Sequence, residues 1–201
     1  MDTTRGSLRE RKKQHMYLAA AQAAVKLVAE QGMRAVRVED ICEHADISRS
    51  TFFRYFDSKE ACFIAGLHHG WIDAVLASLE ARPAEEDPFT ALCNAFVDIT
   101  TDWRRYREVT QLEARIRAEA PAVQIHANAE QLTWERALAT ALEGRCFGAD
   151  DRILTARLTA GTVLCATRLA TERWLEEGAV RSPAEHYTEA FNALSTLFER
   201  G

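Results

Sequence analysis

An all-α fold is what this sequence predicts, and three observations carry the prediction. Ala, Glu, Arg and Leu are abundant over 201 residues, while only 4 Pro and 9 Gly punctuate them. Apolar residues recur at i, i+3, i+4 and i+7 in one segment after another. No sustained period-two alternation occurs, and β-branched residues are thinly spread. With 47% hydrophobic residues the chain can build a sizeable core.

The first helix is predicted from about Leu8 to Gln31, where Tyr17, Ala20, Ala21, Ala24, Leu27 and Val28 form one apolar face. Gly32 closes it. A short second helix over Val38–Ala45 carries Val38, Ile41, Cys42 and Ala45 on one side. The turn Asp46-Ile47-Ser48 follows, with Ile47 as a plug and Ser48 as N-cap of a third helix. Asp57-Ser58-Lys59-Glu60 starts a fourth helix that should run to about Ala81. Residues 82–88 read as a loop ending in Asp87-Pro88, an N-cap followed by Pro at the first helical position. Further helices are expected at about 88–105, 107–119, 121–143, 150–177 and 183–199, about nine in all. Gly178 ends the long one, and Ser182-Pro183-Ala184-Glu185 is a strong start signal for the last.

Several function classes lose ground on composition. No hydrophobic run of the roughly 18 residues needed for a bilayer stands out. The opening MDTTRGSLRERKKQH has no apolar stretch of a signal peptide. A cytoplasmic protein without a membrane partner is expected. Five cysteines, Cys42, Cys62, Cys93, Cys146 and Cys165, show no metal-ligand spacing and read as reduced, packed thiols, with a redox sensor as the alternative. No metal or cofactor is expected. HExxH, GxSxG, Walker A and GxGxxG motifs are all absent, which argues against an enzyme. Adjacent His68 and His69 point to different sides of a helix and make poor co-ligands.

Net charge is −5, yet its distribution is uneven. Residues 1–60 hold 11 Lys/Arg against 9 Asp/Glu, and the remainder is acidic. Basic charge thus gathers at one end, where it can meet phosphates.

Residues 36–60, VRVEDICEHADISRSTFFRYFDSKE, carry the most information. The third helix has an aromatic inner face, Phe52 and Phe56, and an outer face that is short, polar and cationic at its start: Ser48, Arg49, Ser50, Thr51 and Arg54. Such a helix suits a DNA major groove, with its N-terminal residues at base edges. Arg49 can fork onto guanine O6 and N7. Ser50 lets the backbone approach, and Thr51 can donate to a phosphate. Phe53 can press on a thymine methyl. Arg54, Tyr55 and Lys59 complete the set, the last two placed for phosphates, which orient but do not specify.

The run Gly32, Val38, Ile41, Ala45, Ile47-Ser48, Thr51-Phe52, Tyr55-Phe56, Ser58-Lys59-Glu60 resembles the TetR family of bacterial transcriptional regulators over about residues 10–65. Asp46 stands where that family usually has Gly. Arg37 stands where a Thr or Ser usually caps helix two, so it is available for a phosphate. Phe53 replaces a common Tyr and removes one phosphate hydrogen bond. The resemblance implies an N-terminal three-helix helix-turn-helix DNA-binding domain at 1–57 and a C-terminal helical ligand-binding and dimerisation domain at 58–201, with 58–81 as linking helix. It further implies a homodimer on a pseudo-palindromic double-stranded DNA operator, released by a small-molecule effector. The last two long helices are then the dimer interface. Leu158 and Leu164 on one, and Tyr187, Phe191, Leu194 and Phe198 on the other, are its expected residues.

The middle helices should enclose the effector pocket. Expected lining residues are Phe96, Trp103, Leu112, Ile116, Trp134 and Leu138, with Arg107, His126 and Arg168 as polar anchors. Ligand-independent DNA binding and a thiol-responsive regulator are the alternatives.

Overall fold

The computed structural model describes residues 3–100, 103–146 and 150–199; side chains at 3–9, 103, 105, 198 and 199 fall outside the description. Among the described residues there are ten α-helices. Packing divides the chain into two units, Met1–His69 with Leu112–Asn128, and Gly70–Gln111 with Ala129–Gly201.

The first unit is built on α1 (Thr3–Gln31), α2 (Val38–His44), α3 (Arg49–Tyr55) and α4 (Lys59–Leu67). The apolar face of α1 is buried as its spacing predicts, with Ala20, Ala21, Ala24, Leu27 and Val28 inside. Gly32 ends the helix at φ +80, the left-handed region that favours glycine. Asp46 takes the same region at φ 51, which its short polar side chain tolerates. Ser48 caps α3 by accepting from Thr51 N at 3.1 Å. Ser58 caps α4 by accepting from Ala61 N at 3.0 Å. α1 packs along α4, and Gly66 permits that approach: a Cβ there would lie 2.3 Å from the Ala21 carbonyl oxygen.

The linking helix expected over 58–81 is two helices. α4 stops at Leu67, and α5 (Trp71–Ala81) begins after Gly70, whose φ of +75 breaks the helical path. The break coincides with the boundary between the units, twelve residues beyond the sequence-based division at 57/58. It also bears on the membrane expectation. By length and by the hydropathy of one 18-residue window, the stretch Lys59–Ala81 does pass as a span, which the sequence alone did not suggest. Its two pieces have 9 and 11 residues, each about half the ~20 that a crossing needs.

The second unit contains α5, α6 (Pro88–Ile99), α9 (Arg152–Glu176) and α10 (Pro183–Glu199), with parts of α7 (Trp103–Glu119) and α8 (Ala122–Glu143). Asp87 caps α6 through Phe89 N and Thr90 N, with Pro88 behind it as foreseen. α6 ends at Ile99 rather than 105, because Thr100 turns back and its hydroxyl donates to Val97 O at 2.7 Å. The core joins Val75, Leu79, Leu92, Phe96, Leu138, Leu142, Val163, Leu164, Tyr187 and Phe191. Gly178, at φ +82, ends α9.

Candidate nucleic-acid interface and effector core

The N-terminal helices present α3 with the two faces that its sequence predicts. Phe52 and Phe56 are buried, and Tyr17 stacks on Phe56 with ring centroids 4.7 Å apart. Outward stand Ser48, Arg49, Ser50, Phe53 and Arg54, all exposed, with Thr51 and Tyr55 half-buried beside them. Phe53 is 47% exposed, too much for a ring serving only the core. Local contacts preset the cations. Arg49 Nη1 donates to Glu39 Oε1 at 2.6 Å, and its guanidinium lies 5.5 Å from the Phe53 ring centroid. Arg54 lies over the Tyr55 ring at 5.1 Å. Arg37 donates to Asp40 through Nε, Nη2 and its backbone N–H, so the missing Thr or Ser cap of α2 is replaced by this loop of contacts. Asp40's carboxyl is held below its ordinary range by those bonds.

Lys59 departs from expectation. Its ammonium donates to the carbonyls of Met33 and Val36, both at 2.7 Å, and so ties the turn between α1 and α2 to the start of α4. Two charge-assisted bonds of this kind are a structural commitment. Lys59→Ala is therefore expected to destabilise the first unit by about 2 kcal/mol. The slope of log K against log salt for any bound duplex should stay unchanged. Thermal unfolding and a salt titration together check this.

The effector candidates are not all in one unit. Leu112 and Ile116 belong to the first, Ile116 fully buried there. His126 also lies in the first unit, where its Nε2 meets Ser58 Oγ at 3.1 Å and supports the α4 cap. Arg168 is half-buried on α9 and pairs with Glu172 at 2.8 Å. Trp103 starts α7, and its side chain lies outside the described residues. Arg107 is half-buried in the second unit. Phe96, Trp134 and Leu138 do come together in the second unit, joined by Trp71, whose ring lies 4.6 Å from Trp134 and 5.4 Å from Phe96.

A polar cluster that the sequence reading missed lies in the same unit. Tyr106 Oη, Tyr187 Oη and Thr171 Oγ1 are within 2.7–3.1 Å of one another, and Thr171 donates to Thr167 O at 2.8 Å. Burial pushes the Tyr187 hydroxyl well above its ordinary range and keeps it protonated. Tyr187, expected at the interface from its place in an apolar stripe, is instead bonded to Tyr106 of α7.

The interface expectation needs the same correction elsewhere. Leu164, Tyr187 and Phe191 are buried within their own subunit, with Leu194 packed against them. Phe198 lies outside the described side chains. Leu158, in contrast, is 60% exposed. Leu154, Cys165 and Leu169 share its face of α9 and are exposed as well, as is Leu197 on α10. The inward stripe is core, and the outward one is exposed.

Where α7 and α8 meet, the first unit holds an ionic cluster. Glu113 binds His68 Nε2 at 3.1 Å and Arg117 Nη2 on its other oxygen. Burial alone would raise Glu113, but the hydrogen bond and charge of His68, followed by those of Arg117, hold it below the ordinary carboxylate range. A lowered folded value means that the contribution is complete above about pH 4.3 and fades as pH falls through the lowered value. Glu113→Gln should remove that component of acid unfolding, as read from melting temperature against pH.

Four of the five thiols are poorly placed for redox chemistry, and Cys165 alone of them is exposed. Cys42, Cys62, Cys93 and Cys146 are buried, and desolvation pushes Cys62 and Cys93 each up to about 12. Such thiols are poor nucleophiles. Among the described residues no group of His, Cys, Asp and Glu is arranged to hold a metal ion.

A buried three-helix core that exposes a capped, cationic recognition helix defines a helix-turn-helix DNA-binding regulator. The chain belongs to the TetR family of transcriptional regulators. The model for bacterial regulatory proteins of the tetR family matches residues 21–65, and that for the MftR C-terminal domain matches residues 86–199. The transcriptional regulator TcmR of Streptomyces glaucescens is 37% identical over 89 residues, 44% of this chain and only 39% of TcmR's length. The regulator MftR of Mycobacterium tuberculosis is 26% identical over 183 residues, 90% of this chain and 89% of its own. Among solved structures, the fatty acid degradation regulator FadR of Bacillus halodurans shares the fold. Its TM-score is 0.50 at 19% identity, covering 89% of this chain and 93% of that one.

Proposed function

We propose that this regulator is a cytoplasmic repressor. It binds a pseudo-palindromic operator as a homodimer and is released by a small organic effector. The observation that carries the reading is the outward face of α3, where Ser48, Arg49, Ser50, Phe53 and Arg54 stand exposed together over a buried Phe52. Two-fold pairing is supported by the apolar face of Leu154, Leu158, Cys165 and Leu169. A symmetric operator needs two copies of the reader, and a surface of this kind needs a cover.

The effector is mostly apolar with one hydrogen-bonding end. Trp71, Phe96, Trp134 and Leu138 supply the apolar environment of the second unit, and the Tyr106–Thr171–Tyr187 hydroxyls supply its polar group. Release follows by population shift, the effector binding better to the conformation that does not fit DNA. A 100-fold induction requires a coupling of about 2.7 kcal/mol. α7 and α8 contribute residues to both units and are the lever along with α4 and α5. Within the first unit the α7–α8 tip is bonded to α1 through Arg115 to Ala29 O at 3.2 Å.

A thermal-shift screen of metabolites on the purified protein, followed by displacement of bound operator duplex, tests this. A compound that raises the melting temperature and releases the duplex is the expected result. Stabilising compounds that never disturb DNA binding would contradict effector control.

A further inference from the structure

We infer that Glu39 is a specificity-determining residue that acts through Arg49; the inference rests on the operator-binding reading above. Arg49 is the first residue of α3 and Glu39 lies in the first turn of α2, ten positions earlier across the helix-helix turn. Their ion pair is 2.6 Å long, with both side chains exposed, 64% and 50%. An exposed pair of this kind adds little to stability. Its effect is geometric. The guanidinium is held at two points, by the carboxylate at Nη1 and by the Phe53 ring 5.5 Å below its carbon. Two holds narrow the positions that the group samples.

That arrangement selects which part of Arg49 meets DNA. Nη1 is occupied by Glu39, and the Nε–Nη2 edge is the fork that matches guanine O6 and N7. A guanidinium fixed before binding loses less side-chain freedom in making that contact, so the gain appears at the base and not at the backbone. The carboxylate also repels phosphate, which keeps Arg49 from swinging to the nearest backbone oxygen. Glu39 therefore trades non-specific attraction for base discrimination.

Glu39 is a positioning residue, so its test reads base preference and not affinity alone. The full-length protein is first used to select bound duplexes from a random pool. Anisotropy titrations then compare the selected duplex with single-base variants. The reporter position is the guanine whose preference is lost in Arg49→Ala. Glu39→Ala is expected to lower discrimination at that guanine about tenfold, with other positions unchanged. Non-specific affinity should hold or rise, and the salt slope should steepen by about one as Arg49 turns to a phosphate. Glu39→Gln, which keeps an acceptor oxygen at the same reach, should restore most of the discrimination. In the Arg49→Ala background, Glu39→Ala should change nothing at that position. Full discrimination in Glu39→Ala overturns the inference. So does a loss of preference at other base pairs that persists in the Arg49→Ala background, or a uniform weakening on all duplexes. A wild-type protein without preference for any duplex defeats the operator reading and this inference with it; a wild-type preference that Glu39→Ala leaves intact defeats the inference alone.

Discussion

Gly66→Ala is expected to destabilise the DNA-binding unit by about 3 kcal/mol, at the upper end for adding a single methyl group. The cause is the crossing of α1 and α4. A Cβ on Gly66 would come within 2.3 Å of the Ala21 carbonyl oxygen, 2.7 Å of its carbon and 2.9 Å of Val25 Cγ2. Two of those atoms are helix backbone, so no rotamer change relieves the clash and α1 must shift as a body. α1 carries Tyr17, which stacks on Phe56 at the end of α3, so the recognition helix loses part of its seat. A two-unit chain does not unfold in one step, and a single melting temperature would blur the effect. Hydrogen exchange of the α1 and α4 amides isolates it. Protection there should fall by about two orders of magnitude, the equivalent of roughly 3 kcal/mol. Unchanged protection would show that the helices can separate without cost.

Arg49→Ala is expected to weaken operator binding by about 1–3 kcal/mol and to relax preference at one base pair. A bidentate contact to guanine is the strongest single source of sequence discrimination available to this face. Arg54, which lies over the Tyr55 ring, and Arg37, which is bonded to Asp40, are expected at the backbone. Competition titrations with single-base variants separate the two kinds of residue. A loss that is equal on every sequence would place Arg49 on phosphate.

Much of this was legible in the sequence, and the reason is locality. N-caps at Ser48 and Asp87, the helix-ending Gly32 and Gly178, and the two faces of α3 all depend on residues within a turn of each other. What was missed depends on tertiary partners. Gly70 gave no pattern strong enough to reveal a break inside an apolar stretch. Lys59 looks like a phosphate ligand until the carbonyls of Met33 and Val36 are brought beside it. The stripe on α10 faces the core rather than an interface, and an apolar helix face does not by itself say which of two partners covers it. Tyr187 is buried against Tyr106 from eighty-one positions earlier, a partner that no periodicity in α10 announces. Candidate pocket residues were the least legible for the same reason. Leu112, Ile116 and His126 share helices with the effector side yet belong to the DNA-binding unit.

The central claim is that α3, starting at Ser48, lies against base edges and is presented twice by a symmetric pair of subunits. Analytical ultracentrifugation of the full-length protein with a fluorescent duplex from its own promoter region tests both halves at once. Two chains per duplex are predicted, with tight binding that an unrelated duplex fails to compete away and that Arg49→Ala weakens more than Lys59→Ala does. A protein that sediments as a monomer on and off DNA, or that binds every duplex alike, would contradict the account.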